Sequence, residues 1–277
     1  MPAQTSRPLA RPRPDRARPR TALRGLAVLA TVVAVASLTA APAQAGSGLP
    51  SHHCVVNGKT APPGDMVRGT PGNDIIECEN DIENVTIWGG DGDDNIRVKG
   101  HVIDSQVLGG DGNDRIQTSH LLPRQGQSTI RGGTGDDTII VPTVIGTADH
   151  GATVYGDQGD DTITVGSVFG QPGQYMRGGG QVFGNDGKDL ITTGLIDFGG
   201  RVLGGSEDDI IEAKAVGVET GGVIQGGPGR DTIRGLGNTV LKVGPGWGQV
   251  DGGLDEDACK VEHANPSRAR STIASCP

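Results

Sequence analysis

The chain has 277 residues, enough for one or two ordinary domains, yet 48 are glycine and only 3% are aromatic, which is poor material for a globular core of large side chains. Its formal charge of −9 disfavours nucleic acid and anionic lipid as partners and favours cations. A repeat architecture is therefore the first thing to test.

Residues 1–45 are predicted to be a secretory signal peptide. Seven arginines (Arg7, Arg11, Arg13, Arg16, Arg18, Arg20, Arg24) precede the apolar run LAVLATVVAVASLTA, which ends near Ala43-Gln44-Ala45. A basic start, a short apolar middle and an A-x-A end place cleavage after Ala45. The run has 15 residues, short of the roughly 20 that cross a bilayer, so no membrane span is expected in the mature form. No twin-arginine pair stands in front of it, which favours the general secretory route and a secreted, extracellular protein. Removing the leader's net +6 from the chain's −9 leaves −15, an acidic mature chain.

Residues 46–66 carry Pro50, Pro62 and Pro63 without a periodic apolar pattern and read as an extended lead-in and cap, too short for a catalytic module. Residues 67–261 then repeat one frame nine times. With the first glycine of the frame as position 1, the copies start at Gly69, Gly89, Gly109, Gly132, Gly156, Gly184, Gly204, Gly226 and Gly252, at spacings of 20 to 28 residues. Two residues earlier stands Val67, Ile87, Val107, Ile130, Val154, Val182, Val202, Ile224 or Val250, β-branched in every copy. Position 8 is Ile76, Ile96, Ile116, Ile139, Ile163, Ile191, Ile211 and Ile233, and finally Cys259. Alternation on both sides of a glycine turn has the period of a strand and not of a helix. The expected fold is all-β: a parallel β-solenoid, right-handed by the rule for parallel crossovers, with one glycine turn per coil and a thin Val/Ile ladder inside. An antiparallel meander would share the alternation but gives no reason for one identical turn per coil.

Position 6 is aspartate in every copy: Asp74, Asp94, Asp114, Asp137, Asp161, Asp189, Asp209, Asp231 and Asp257. Its parity with position 8 turns each carboxylate into the mouth of its turn, and coils about 4.8 Å apart would set nine like charges in one row. A cation between them is expected. Glycines at positions 1, 2 and 4 are expected to adopt positive φ and present carbonyl oxygens to the same place. Carboxylate and carbonyl ligands without His or Cys suit Ca²⁺ better than zinc or copper. The bland reading is that these are tight Gly/Asp turns with solvated carboxylates, which nine copies in register argue against.

The segments GGDGDDNIRV, GGDGNDRIQT and GGTGDDTII resemble the glycine-rich nonapeptide of the RTX, or hemolysin-type, calcium-binding family. That resemblance spans residues 67–261 and implies calcium held between adjacent turns by the position-6 aspartates and the turn carbonyls. The cleanest turns would use Gly89, Gly90, Gly92 and Asp94; Gly109, Gly110, Gly112 and Asp114; and Gly132, Gly133, Gly135 and Asp137. Nine turns leave at most eight gaps, each ion being shared by neighbouring turns. Family members commonly place nonapeptides in tandem with calcium on both edges, whereas one per coil here implies one calcium edge. Position 2 is Thr70, Asp157 or Asn185 in three copies, and position 4 is Glu207 or Asp255 in two, which either adds ligands or spoils the turn.

Four cysteines in an exported chain are expected to be oxidised. The end coils of such a stack lie about 38 Å apart, far beyond disulfide reach, so Cys54 should pair with Cys78 and Cys259 with Cys276, closing the two ends; residues 262–277 form the second closure. His52, His53, His101, His120, His150 and His263 read as solvated loop residues. The longest connection, Gly166 to Gly180, carries Phe169, Tyr175, Met176 and Arg177 and could hold a surface site for a protein or carbohydrate partner of unknown identity. The function expected is a secreted calcium-binding protein, not an enzyme, whose folding is coupled to Ca²⁺. A polysaccharide lyase or epimerase on a β-solenoid would need a cleft with a base and cationic stabilisers. An adhesive face would need a flat array of identical outward residues, and Thr138, Thr162 and Thr232 recur too irregularly for that.

Overall fold

The computed structural model describes residues 52–147, 149–170, 179–265 and 270–276. The signal peptide assigned to residues 1–45 lies outside them, as do Tyr175, Met176 and Arg177 of the long connection.

The chain winds into a parallel β-solenoid of about nine coils with no helix among the described residues. Each coil has a strand before the glycine turn and a strand after it. The strands before the turn, from Met66–Arg68 and Thr86–Asp91 through to Trp247–Leu254, stack in chain order into a ten-stranded parallel sheet, completed by Thr272–Ala274 of the tail. The strands after the turn, from Ile75–Cys78 to Ala258–His263, form the larger second sheet. Parallel pairing of every successive coil excludes the meander.

Register between coils follows the repeat frame despite the changing spacing. Val67 lies opposite Ile87, Ile87 opposite Val107, and the column continues to Val250 and Ile273. Ile76, Ile96, Ile116 and Ile139 begin the facing column, which ends with Ile233 opposite Cys259. All these Val and Ile side chains up to Ile233 are buried. A one-residue slip would turn every one of them outward, so burial fixes the register, and spacing differences are absorbed in the connections.

The lead-in is more ordered than its composition suggests. Cys54–Val56 pairs antiparallel with Lys59–Thr60 and with Ile75–Cys78, so a small hairpin lies across the edge of the first coil and blocks further strand addition. Its turn is Asn57-Gly58, with φ of 50° and 73°; both residues need positive φ in such a turn, and Asn-Gly tolerates it best. Both disulfides join the expected partners, with Cα–Cα distances of 4.0 Å for Cys54–Cys78 and 5.1 Å for Cys259–Cys276.

Candidate metal site

The position-6 aspartates stand in one column at the turn between the two sheets. All nine are buried, none more than 5% exposed. Eight hydrogen bonds of 2.7 to 2.9 Å connect them: the backbone N–H of Asp74 donates to Asp94 Oδ1, Asp94 to Asp114, and so on to Asp231 and Asp257. One oxygen of each carboxylate from Asp94 to Asp257 is thus committed to the backbone of the coil before it.

The other oxygen is not. Oδ2 of Asp94, Asp114, Asp137, Asp161, Asp189, Asp209, Asp231 and Asp257 is buried without a hydrogen-bond partner. Native interiors leave such acceptors unpaired only rarely, because each costs about 1–3 kcal/mol and more when charged. Eight in one file point to a missing positive partner.

The position-1 glycines explain where those oxygens sit. None of these glycines has positive φ, contrary to the expectation above. They are glycine because a Cβ would collide with the aspartate Oδ2 of its own coil and with the position-1 carbonyl oxygen of the next coil, as Gly89 would with Asp94 and Gly109. A buried carboxylate oxygen and a carbonyl oxygen therefore crowd the same bare face with no donor between them. Positions 2 and 4 do need left-handed backbone: φ is 77° to 143° at all nine position-4 residues and 84° to 141° at every position-2 residue except Thr70. Asp157, Asn185, Glu207 and Asp255 adopt it despite their side chains, so these substitutions keep the turn. Asp157 does not point a free carboxylate at the row; its Oδ1 lies 2.5 Å from Arg131 Nη1.

Among the described residues no three His, Cys, Asp or Glu side chains converge on one point. A cation on the row would take most of its ligands from main-chain carbonyls, a donor set suited to a hard ion such as Ca²⁺. Burial is the largest influence on the carboxylates, raising Asp94, Asp114, Asp137, Asp161, Asp189, Asp209 and Asp231; the backbone N–H bonds oppose it and neighbouring carboxylates add to it. Asp114 and Asp137 reach about 7, Asp161 and Asp209 about 8, Asp189 and Asp231 about 6.

Asp74 stands apart. Asn57 Nδ2 of the cap donates to its Oδ1, while Thr70 N–H donates to Oδ2 at 2.5 Å and Thr70 Oγ1 lies 3.0 Å from the same atom. Both of its oxygens already have protein partners.

A second ladder, missed in the sequence reading, runs the opposite way through position 5. Asp93 N–H donates to Asn73 Oδ1, Asn113 to Asp93, Asp136 to Asn113, Asp160 to Asp136 and Lys188 to Asp160, at 2.8 to 3.0 Å. The recurrence of Asn or Asp at position 5 was its signal. Lys188 cannot accept and instead places Nζ 3.6 Å from Asp208.

The opposite edge manages its carboxylates differently. Asp104 Oδ1 accepts from the backbone of Arg124, Gln125 and Gly126 at 2.7 to 3.1 Å; burial would raise Asp104, but these bonds outweigh it and lower it. Asp197 accepts from the N–H groups of Phe198, Glu219 and Thr220. Saturated this way, neither needs an ion. The histidines are less solvated than expected: His101 and His120 lie on adjacent coils with ring centroids 5.0 Å apart and each has a buried Nδ1 without a partner.

The arrangement defines a parallel β-solenoid with a single-file row of uncompensated carboxylate oxygens along one edge. The family model for the RTX calcium-binding nonapeptide repeat (4 copies) matches residues 83–98, 105–119, 125–140, 153–167 and 217–238. The chain thus carries RTX repeats, and Ca²⁺ is the ion such repeats bind. No curated protein and no solved structure matches the chain.

A substitution at Asp137 separates the charge of the row from its hydrogen bonding. In Asp137→Asn the amide oxygen can still accept from Asp114 N–H, while the amide N–H₂ replaces Oδ2 beside the Gly156 carbonyl and finds an acceptor there. Without calcium, Asp137→Asn should keep its fold to higher pH than wild type, and with calcium it should melt lower. Asp137→Ala orphans the Asp114 N–H and should cost the calcium-loaded protein about 1–3 kcal/mol or more. Circular dichroism across pH without calcium, and thermal melts with it, read both signs.

Proposed function

We propose that this chain is an exported, non-enzymatic calcium-binding solenoid in which Ca²⁺ lies between consecutive turns along the aspartate edge and is required for the fold. The observation that carries this reading is the file of eight buried, unpartnered Oδ2 atoms. The ligands would be Oδ2 of Asp94, Asp114, Asp137, Asp161, Asp189, Asp209, Asp231 and Asp257 together with turn carbonyls, including those of Gly90, Gly92, Gly109, Gly110, Gly112, Gly132, Gly133 and Gly135; the Gly89 carbonyl faces Asp74 instead. Asp74, satisfied by Asn57 and Thr70, is left out of the row. Bound calcium supplies the positive charge that the buried carboxylates lack; the glycine turns hold the oxygens in place and the two ladders keep the turns in register.

Folding and binding are then coupled, because the carboxylates come together only when the coils stack. Extracellular modules bind calcium at about 10⁻⁴ to 10⁻³ M, an affinity that would leave the chain loose in a low-calcium cytosol and order it after export. The leader over residues 1–45 and the two disulfides support an extracellular destination. Titration calorimetry of residues 46–277 with calcium, and with magnesium as control, tests the reading. Saturable calcium binding with little response to magnesium is expected; equal responses, or none, would count against it.

A further inference from the structure

We infer that the last cation site of the row is completed by the C-terminal tail, with the Ser275 carbonyl standing in for a tenth turn and the Cys259–Cys276 disulfide holding it there. This rests on the calcium reading above and goes beyond it by assigning one site to residues outside the repeats.

In each gap from Asp94 to Asp231, the aspartate Oδ2 of one coil meets the position-1 carbonyl oxygen of the next, Asp231 meeting that of Gly252. The ninth coil has no successor in the repeat, and Asp257 would be expected to face solvent. It is instead 5% exposed, and its Oδ2 is buried without a partner. The reason is the tail. Thr272–Ala274 pairs in parallel with Trp247–Leu254 in the repeat register, Ile273 opposite Val250 and Ala274 opposite Asp251. Ser275 then falls opposite Gly252, where position 1 of another coil would stand. Its carbonyl oxygen and Asp257 Oδ2 both crowd the face of Gly252 where a Cβ would be, the same pairing as in the seven gaps before it. Ser275 has φ of 47°, a left-handed conformation that a non-glycine residue holds only when its surroundings enforce it. The next residue is Cys276, bonded to Cys259, two positions after Asp257. Gly253, Asp255, Glu256, Asp257, Ser275 and Cys276 line an open recess at this end, so an ion could enter without unstacking the coils.

The two ends of the row are therefore treated in opposite ways. At the first coil, Asn57 and Thr70 give Asp74 the donors it needs, and that gap requires no ion. At the last coil, the tail brings an acceptor and no donor, which enlarges the need for a cation. The number of gaps remains eight, as nine turns alone would give, but the set is shifted by one coil toward the C-terminus.

The test counts bound calcium, by elemental analysis after gel filtration, in four forms of residues 46–277: the oxidised protein, the Cys259→Ser/Cys276→Ser pair, Asp257→Asn, and all three substitutions together. The cysteine pair and Asp257→Asn should each lose one ion, and the combination no more than either alone. A cysteine pair that keeps the full count or loses several ions, or a combination that loses two, would overturn the inference. An oxidised protein that binds no calcium would remove the calcium reading and the inference with it, whereas full binding independent of the disulfide removes the inference alone. Because linkage is reciprocal, a second measurement needs no cysteine variant. Calcium should raise the dithiothreitol concentration that opens Cys259–Cys276 by about tenfold in the native protein and by less in Asp257→Asn; equal protection in the two would contradict the assignment.

Discussion

Chelating calcium at about pH 8 is expected to unfold the solenoid, and bringing the calcium-free chain to about pH 5 is expected to restore much of its β-structure. Without an ion, the buried carboxylates of Asp114, Asp137, Asp161 and Asp209 titrate at about 7 to 8 and those of Asp189 and Asp231 at about 6, against about 3.9 in an unfolded chain. Between those limits the folded state holds more protons than the unfolded state, so stability is greatest below about pH 4 and falls as pH rises toward 8. Calcium reverses the slope, since it replaces protons on the same oxygens and binds better as they leave. At a hundredfold excess over Kd each site contributes about 2.7 kcal/mol. Eight such sites would outweigh the whole 5–15 kcal/mol or so that usually separates folded from unfolded. Far-UV circular dichroism across pH with and without chelator reads the effect. A calcium-free form that keeps its spectrum and melting temperature at about pH 8 would contradict it.

Gly109→Ala is expected to destabilise the calcium-loaded protein by about 3 kcal/mol or more. The added methyl would occupy space held by Asp114 Oδ2 and by the Gly132 carbonyl of the next coil, and that backbone cannot move without breaking the register on both sides. Backbone strain is not the cause, because Gly109 does not have positive φ. Gly237→Ala is the matched control: its φ is 64° and nothing lies within 4 Å of the new methyl, so only the left-handed penalty of about 1–2 kcal/mol applies. Urea melts of the two variants should differ clearly; equal losses would mean that the crowding at position 1 is relieved at little cost.

Much of this was legible in the sequence because it depends on spacing within one coil. Alternation around the turn placed Val67, Ile87 and Ile96 inside, and the invariant Asp94 and Asp114 marked the edge where charge collects. Length alone decided the cysteine pairs, since residues at opposite ends of a stack cannot meet. What escaped depends on the coil next door. The role of Gly109 is set by a carbonyl 23 residues later in the chain, and the position-5 ladder exists only because Asp93 and Asn113 sit at hydrogen-bonding height after stacking. Asn57 lies 17 residues from Asp74, so no local pattern reveals that it satisfies the first carboxylate. Ser275 has no glycine frame around it, and its place in the row follows from strand pairing alone.

If calcium fills a single file along the aspartate edge, anomalous diffraction from crystals grown with calcium will locate each ion. Peaks are expected in one row beside Asp94 through Asp257, with none beside Asp74 and none at the Asp104 and Asp197 edge. Peaks scattered over the surface, a row on the opposite edge, or an aspartate edge without density in calcium-saturated crystals would contradict the single file.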